Sequence, residues 1–199
     1  MRVGILGGTF DPIHAGHLAA AYAAMECEGL GRVIFVPTGI PPHRAAAVAS
    51  AGDRVAMARL AIAGEPRFEV SDIEVRRDGA SFTVDTLREL KRVGSDDELF
   101  LILGWDAGKL FHTWHEPAEI LKLAHVVVVT RPGSPPPTGR AMEAAGLGKG
   151  LATVCARETP DISGSALRRA IGASGAVGDR LPEGVRRYID DHGLYMDNR

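Results

Sequence analysis

An α/β fold with a doubly wound, mostly parallel sheet is what this sequence predicts, and three observations predict it. Apolar runs at 3–6, 33–36, 99–103 and 126–130 are continuous rather than alternating, as in strands covered on both faces. Segments of helical length and period separate them. The first run passes through Gly7-Gly8 straight into an alanine-rich helix, so the next strand is reached by a right-handed crossover and lies parallel.

The elements follow in order. Strand one, 3–6, leads to a helix from His14 to about Gly29, where Gly29 and Gly31 act as stops. Strand two, 33–36, ends at Pro37, and the prolines of 37–44 make a loop. Asp53 is placed to cap a helix to Ala63, with Val55, Ala58, Leu60 and Ile62 as apolar positions. Residues 68–75 read as strand and Arg76-Arg77-Asp78-Gly79 as a turn. Ser81 or Thr83 caps a helix to about Arg92, buried through Val84, Leu87 and Leu90. After strand 99–103 come short helices near 107–111 and 117–123, then strand 126–130. The proline- and glycine-rich stretch 134–149 reads as a mobile surface excursion, followed directly by a last strand near 151–156. Ser163 caps a helix to about Ile171, and a closing helix runs between Pro182 and Gly193.

At 199 residues the expectation is a single domain over 1–199, in which about 160–199 forms a small helical C-terminal part. Apolar content of 45% and charged content of 24% are ordinary for a globular chain. A net charge of −2 offers no bulk attraction for nucleic acid, so an anionic ligand needs a local cluster of donors. No apolar run approaches the ~20 residues needed to span a bilayer. With a strand at residue 3 no leader is expected, and a cytoplasmic location is the expectation. Cys27 and Cys155, far apart in sequence, suit a reducing compartment and read as small buried residues. The pattern leaves self-association open.

The strongest chemical signal is Gly7-Gly8-Thr9-Phe10-Asp11-Pro12-Ile13-His14-Ala15-Gly16-His17. A strand-to-helix turn presents unpaired N–H groups and the positive end of the helix dipole, which suits phosphate. Thr9 adds a hydroxyl, and His14 and His17 project from one face of the first turn. Other strand ends carry polar residues too: His43-Arg44, Gly104-Trp105-Asp106 and Arg131. In a doubly wound sheet these strand ends converge on one edge. Ile162-Ser163-Gly164-Ser165-Ala166-Leu167-Arg168 opens a helix with two hydroxyls and a guanidinium one turn in. Taken singly, several of these have plainer readings: a proline-rich surface loop at 41–44, helix caps at Ser81–Thr83, Asp106 and Ser163, and a core tryptophan at 114. His112 and His115 with Glu116 and Glu119 lack the Cys or further His of a zinc site, so no protein metal site is expected.

Together these residues resemble a known family. Gly7–His17 is similar to the nucleotidyltransferase signature, and Phe10-Asp11-Pro12 to its bacterial adenylyltransferase branch, which acts on nicotinate mononucleotide or phosphopantetheine. Pro41-Pro42-His43-Arg44, Ser81-Phe82-Thr83-Val84-Asp85-Thr86-Leu87, Gly104-Trp105-Asp106, the 162–168 segment and Leu181 to Tyr195 resemble motifs of the nicotinate branch. The likeness runs from residue 3 to about 195. It implies a Rossmann-like fold and adenylyl transfer from ATP to nicotinate mononucleotide, with Mg²⁺ carried on ATP. It implies that Gly7, Gly8, Thr9, Phe10, His17, Gly104, Asp106, Ile162, Ser163, Ser165 and Arg168 meet ATP. His43, Arg44, Thr83, Trp114, His115 and Arg131 would meet the mononucleotide. His14, His17 and Arg168 would carry the catalysis. Gly164 and Ser165 depart from the family's Ser/Thr followed by Thr. Transfer to nicotinamide mononucleotide or phosphopantetheine, and a non-catalytic nucleotide-binding module, remain the alternatives.

Overall fold

The structure, a computed structural model, describes residues 1–41, 47–130, 135–173 and 175–196. Strands β1 (Arg2–Gly8), β2 (Arg32–Pro37), β3 (Phe68–Val70), β4 (Glu98–Gly104), β5 (Ala124–Thr130) and β6 (Ala152–Glu158) form one sheet in the order β3-β2-β1-β4-β5-β6. Every neighbouring pair is parallel. The strand order reverses between β1 and β4, and in such sheets that reversal opens a crevice at the carboxyl ends of the strands.

The helices are α1 (Ala15–Glu28), α2 (Ala51–Ile62), α3 (Thr83–Val93), α4 (Trp105–Gly108), α5 (Pro117–Leu123), α6 (Gly139–Ala144), α7 (Gly164–Gly172) and α8 (Glu183–Asp191). They cover both faces, as the continuously apolar strands require. Alternate strand residues serve two cores. Leu6, Phe35, Ile102 and Val127 pack under α1, α2, α7 and α8, whereas Ile5, Val36, Leu101 and Val128 pack under α3 and α5. Gly4 lies where a Cβ would meet Ile102 and Leu30 side chains at 2.9 Å, so α1's exit packs directly on β1. Among the described residues, no helix is long and apolar enough to cross a membrane.

Several expectations change. β3 is only Phe68–Val70: Ser71 N–H still donates to the Phe35 carbonyl, but the chain then turns at 73–75 rather than continuing as strand. Ser50, not Asp53, caps α2, its Oγ accepting from Asp53 N–H at 3.1 Å. On α2 the apolar reading of Leu60 fails, for it is exposed, whereas Arg54 is buried. Neither Ser81 nor Thr83 caps α3; Phe82 holds that position, and Ser81 Oγ instead accepts from Ile40 N–H. The expected excursion stays largely exposed at 135–140, but from 141 onward it packs against the fold. Thr138 caps α6, and Met142, Ala145 and Leu147 are buried, so a helix joins β5 to β6 as parallel pairing demands.

The cysteines also differ from the sequence reading. Cys27, exposed near the end of α1, is disulfide-bonded to buried Cys155 on β6. The helix lies across the sheet and brings together residues 128 positions apart.

Candidate active site

The β1–α1 turn is held in a specific shape. The ring of Phe10 is 1% exposed and folds back onto Gly8, where a Cβ would lie 2.8 Å from it. That fold-back takes positive φ (51°) at Phe10, and the Asp11–Pro12 peptide is cis. Phe10 therefore anchors the turn with its side chain, and only its main chain lies where a ligand could meet it. Its ring edge meets His17 at 4.9 Å between centroids.

The two histidines stack, with centroids 3.7 Å apart and planes inclined by 24°. His17 Nδ1 accepts from the His14 backbone N–H at 3.2 Å. In neutral His17 the proton is therefore on Nε2, a donor suited to a phosphate oxygen. Gly16 sits close beside them: a Cβ there would lie 3.1 Å from His14 Nδ1 and 3.3 Å from the Pro160 carbonyl. The same close approach brings the 160–162 strand-to-helix segment against the start of α1.

From that segment α7 begins. Ser163 Oγ accepts from Ala166 N–H and lies 2.9 Å from Ser165 Oγ, so both hydroxyls crowd the helix N-terminus. Ile162 is buried in the core and offers only its main chain. Arg168 turns back to the β1–α1 turn, its NH1 donating to the Asp11 carbonyl at 2.6 Å and standing 3.5 Å from Asp11 Oδ2. A Cβ at Gly164 would meet the Asp11 carbonyl at 3.5 Å, an ordinary contact, so a family-like serine would fit there. Beside this junction, a cleft of about 570 Å³ opens between Ala15, Pro160, Ile162 and Val177.

A second cluster forms at the start of α3. Ser81 N–H donates to the Ile40 carbonyl at 2.8 Å, which pins the start of α3 to the loop leaving β2. Phe82, next to Thr83, lies 4.4 Å from the His115 ring. Trp114 precedes it, half-buried against Phe111 at 5.5 Å. Phe82 and Trp114 pack against one core cluster, and Thr83 and His115 are their neighbours in the chain. Gly104 ends β4, and exposed Asp106 accepts from Lys109 Nζ at 2.8 Å. His43, Arg44 and Arg131 lie outside the described residues.

Three residues went unassigned in the sequence reading. Asp11 is 7% exposed, and its carboxylate accepts from Val48 N–H (2.8 Å), Ala49 N–H (3.0 Å) and Tyr195 OH (2.8 Å). Arg54 is 2% exposed, and its NH1 donates to the carbonyls of Thr9 (2.8 Å) and Thr38 (2.7 Å), clamping the loops after β1 and β2. Burial pushes its guanidinium pKa down, with Asp11 opposing that shift. Tyr195 reaches Asp11 from beyond α8, and burial and that hydrogen bond push its phenol pKa up. The one available sequence signal was Arg54, three and four residues before the apolar Met57 and Ala58, which marks it as core-facing.

The cytidylyltransferase-like family model matches residues 5–170, a span that covers both the Gly7–His17 turn and Arg168. A Thermus thermophilus protein described as a probable nicotinate-nucleotide adenylyltransferase is 44% identical over 98% of this chain and 100% of its own. One so described from Dehalococcoides mccartyi is 41% identical over 98% of this chain and 97% of its own. The fold matches the Plasmodium falciparum nicotinic acid mononucleotide adenylyltransferase complexed with NaAD at TM-score 0.79 and 16% identity, over 98% of this chain and 97% of that one. Full-length identity of this order, on a chain whose two phosphate-type motifs meet at Asp11 and Arg168, shows that it belongs to the nicotinate-nucleotide adenylyltransferase family.

Proposed function

We propose that the chain transfers the adenylyl group of ATP to the phosphate of nicotinate mononucleotide, giving deamido-NAD and pyrophosphate. The observation that carries this reading is the 2.6 Å bond from Arg168 to the Asp11 carbonyl. It seats one helix N-terminus and its hydroxyls against a second phosphate-type turn holding two histidines. A polyphosphate needs such an extended run of donors, and an ordinary capped helix does not. The relatives' descriptions name the same reaction class, and the Plasmodium protein was solved with NaAD and, separately, with APC.

In the reaction, a mononucleotide phosphate oxygen attacks the α-phosphorus of ATP. The bond from that phosphorus to the bridging oxygen breaks, and pyrophosphate leaves. A phosphate monoester with second pKa near ~6 is already largely dianionic at neutral pH, so no general base is needed. Alignment and charge stabilisation do the work. His17 Nε2–H and His14 stabilise the α-phosphate, while Thr9 and the main chain at Gly7, Gly8 and Phe10 line its approach. Ser163, Ser165 and the α7 N-terminus, with the main chain of Ile162, receive the outer phosphates. Arg168, anchored through NH1, meets the leaving pyrophosphate. Gly104 and Asp106, at the end of the strand next to β1, serve the nucleoside. Trp114 stacks on the pyridine ring beside Thr83 and His115.

Mg²⁺ fits this donor set. It would ride on phosphate oxygens and keep most of its water, needing few protein ligands. The Asp11 oxygens are committed to Val48, Ala49 and Tyr195, which would leave the metal to phosphate oxygens and water. When bound, it neutralises charge on the polyphosphate.

The test is pyrophosphate release from ATP and Mg²⁺ with each acceptor in turn. Release with nicotinate mononucleotide is expected. Release only with phosphopantetheine, or with no acceptor, overturns the reading.

A further inference from the structure

We propose that Tyr195 is a positioning residue for the reaction, acting through Asp11 on Arg168. This rests on the reading that Arg168 serves the outer phosphates of ATP.

A carboxylate taken out of water must be met by donors, or it costs the fold heavily. Asp11 is met by donors from three distant segments. Val48 and Ala49 supply backbone N–H groups, Arg168 supplies NH1, and Tyr195 supplies its hydroxyl. Arg168 NH1 donates to the Asp11 main-chain carbonyl and is ion-paired with its Oδ2 at 3.5 Å. The direction of the guanidinium therefore follows the orientation of Asp11, and Tyr195 is one of the three groups that set that orientation.

The chain is shaped to deliver this hydroxyl. Val185 and Ile189 bury α8, and Tyr188 OH donates to Asp53 Oδ1 at 2.9 Å, tying α8 to α2. Beyond the helix, Leu194 N–H closes back on the Ile189 carbonyl at 3.0 Å, and Gly193 and Tyr195 both take positive φ (59° and 62°). A tyrosine rarely adopts that conformation without surrounding contacts that impose it. Here it turns the chain back, and the phenol oxygen ends on a carboxylate 184 positions earlier.

Tyr195→Phe removes that oxygen and keeps the ring, so the packing of Tyr195 against the core is retained. The expected result is selective. ATP affinity measured by calorimetry falls about tenfold, the scale of one hydrogen bond to a charged group, and KM for ATP rises with it. KM for nicotinate mononucleotide stays within about twofold. In an Arg168→Ala background, Tyr195→Phe adds no further loss, because the two act as one unit. A purely structural tyrosine would lower Tm and leave this split absent. Unchanged ATP affinity, an equal rise in both KM values, or additive losses in the double variant overturns the proposal. Wild-type protein that binds ATP yet releases no pyrophosphate overturns the functional reading alone, and the calorimetric comparison still decides the role of Tyr195. Wild-type protein that does not bind ATP overturns both.

Discussion

Arg168 NH1 donates to the main-chain carbonyl of Asp11 at 2.6 Å, joining residues 157 positions apart in sequence. Through this bond the start of α7 and the start of α1 share one surface. Arg168→Ala is expected to lower kcat/KM for ATP by about 10- to 100-fold, the scale of a charge-assisted hydrogen bond. Arg168→Lys recovers only part of it, since one ammonium cannot both hold the Asp11 carbonyl and present a planar fork to phosphate. Steady-state kinetics at varied ATP measures both.

His17 shows the second relationship. Its Nδ1 is occupied by the His14 N–H, which orients Nε2 as the donor. His17→Ala is expected to lower kcat by about 100- to 1,000-fold, as for loss of a donor to developing charge. The far-ultraviolet circular dichroism spectrum should be unchanged. Near-normal turnover would remove His17 from the chemistry.

Close approaches of backbone mark where glycine is needed. A Cβ on Gly39 would lie 2.3 Å from the Glu74 carbonyl, and backbone on both sides cannot yield. Gly39→Ala is expected to cost about 1–3 kcal/mol or more, as overpacking does, whereas Gly7→Ala meets nothing within 4 Å. Chemical denaturation of both variants checks the contrast.

The Cys27–Cys155 bond closes a long loop between α1 and β6. Reduction is expected to cost about 2–4 kcal/mol, seen as a fall in Tm with reductant. Thiol titration of the denatured protein should then find two free thiols after reduction and none before. Cys27→Ser should remove the reductant effect.

Tyr195 makes a pH prediction. Burial and the Asp11 carboxylate raise its phenol above the unfolded value of 10. A raised pKa means that the bond's contribution is fully present below about pH 10 and is lost as pH rises above it. The stability gap between wild type and Tyr195→Phe should therefore be constant from about pH 7 to 9 and shrink above about pH 10. Urea denaturation across that range tests the sign.

The sequence by itself determined the layered α/β fold, the parallel sheet and both phosphate-type motifs. These are local matters: strand apolarity, the glycine turn and the Ser163 cap each follow from neighbours in the chain. Which residues meet ATP and which the mononucleotide came from the family resemblance, and the structure adds that Phe82, beside Thr83, touches His115. What only tertiary structure decided were long-range pairings with no local trace. The spacing of Arg54 marks it as core-facing but not what it meets, and it lies under two strand-end loops because α2 packs across their carbonyls. Cys27 and Cys155 meet because α1 crosses the sheet to β6. Asp11 reads as a turn residue until α7 and the C-terminal segment fold onto it. A buried charge is tolerated only where distant donors meet it, and where those donors come from is a property of the fold, not of the motif.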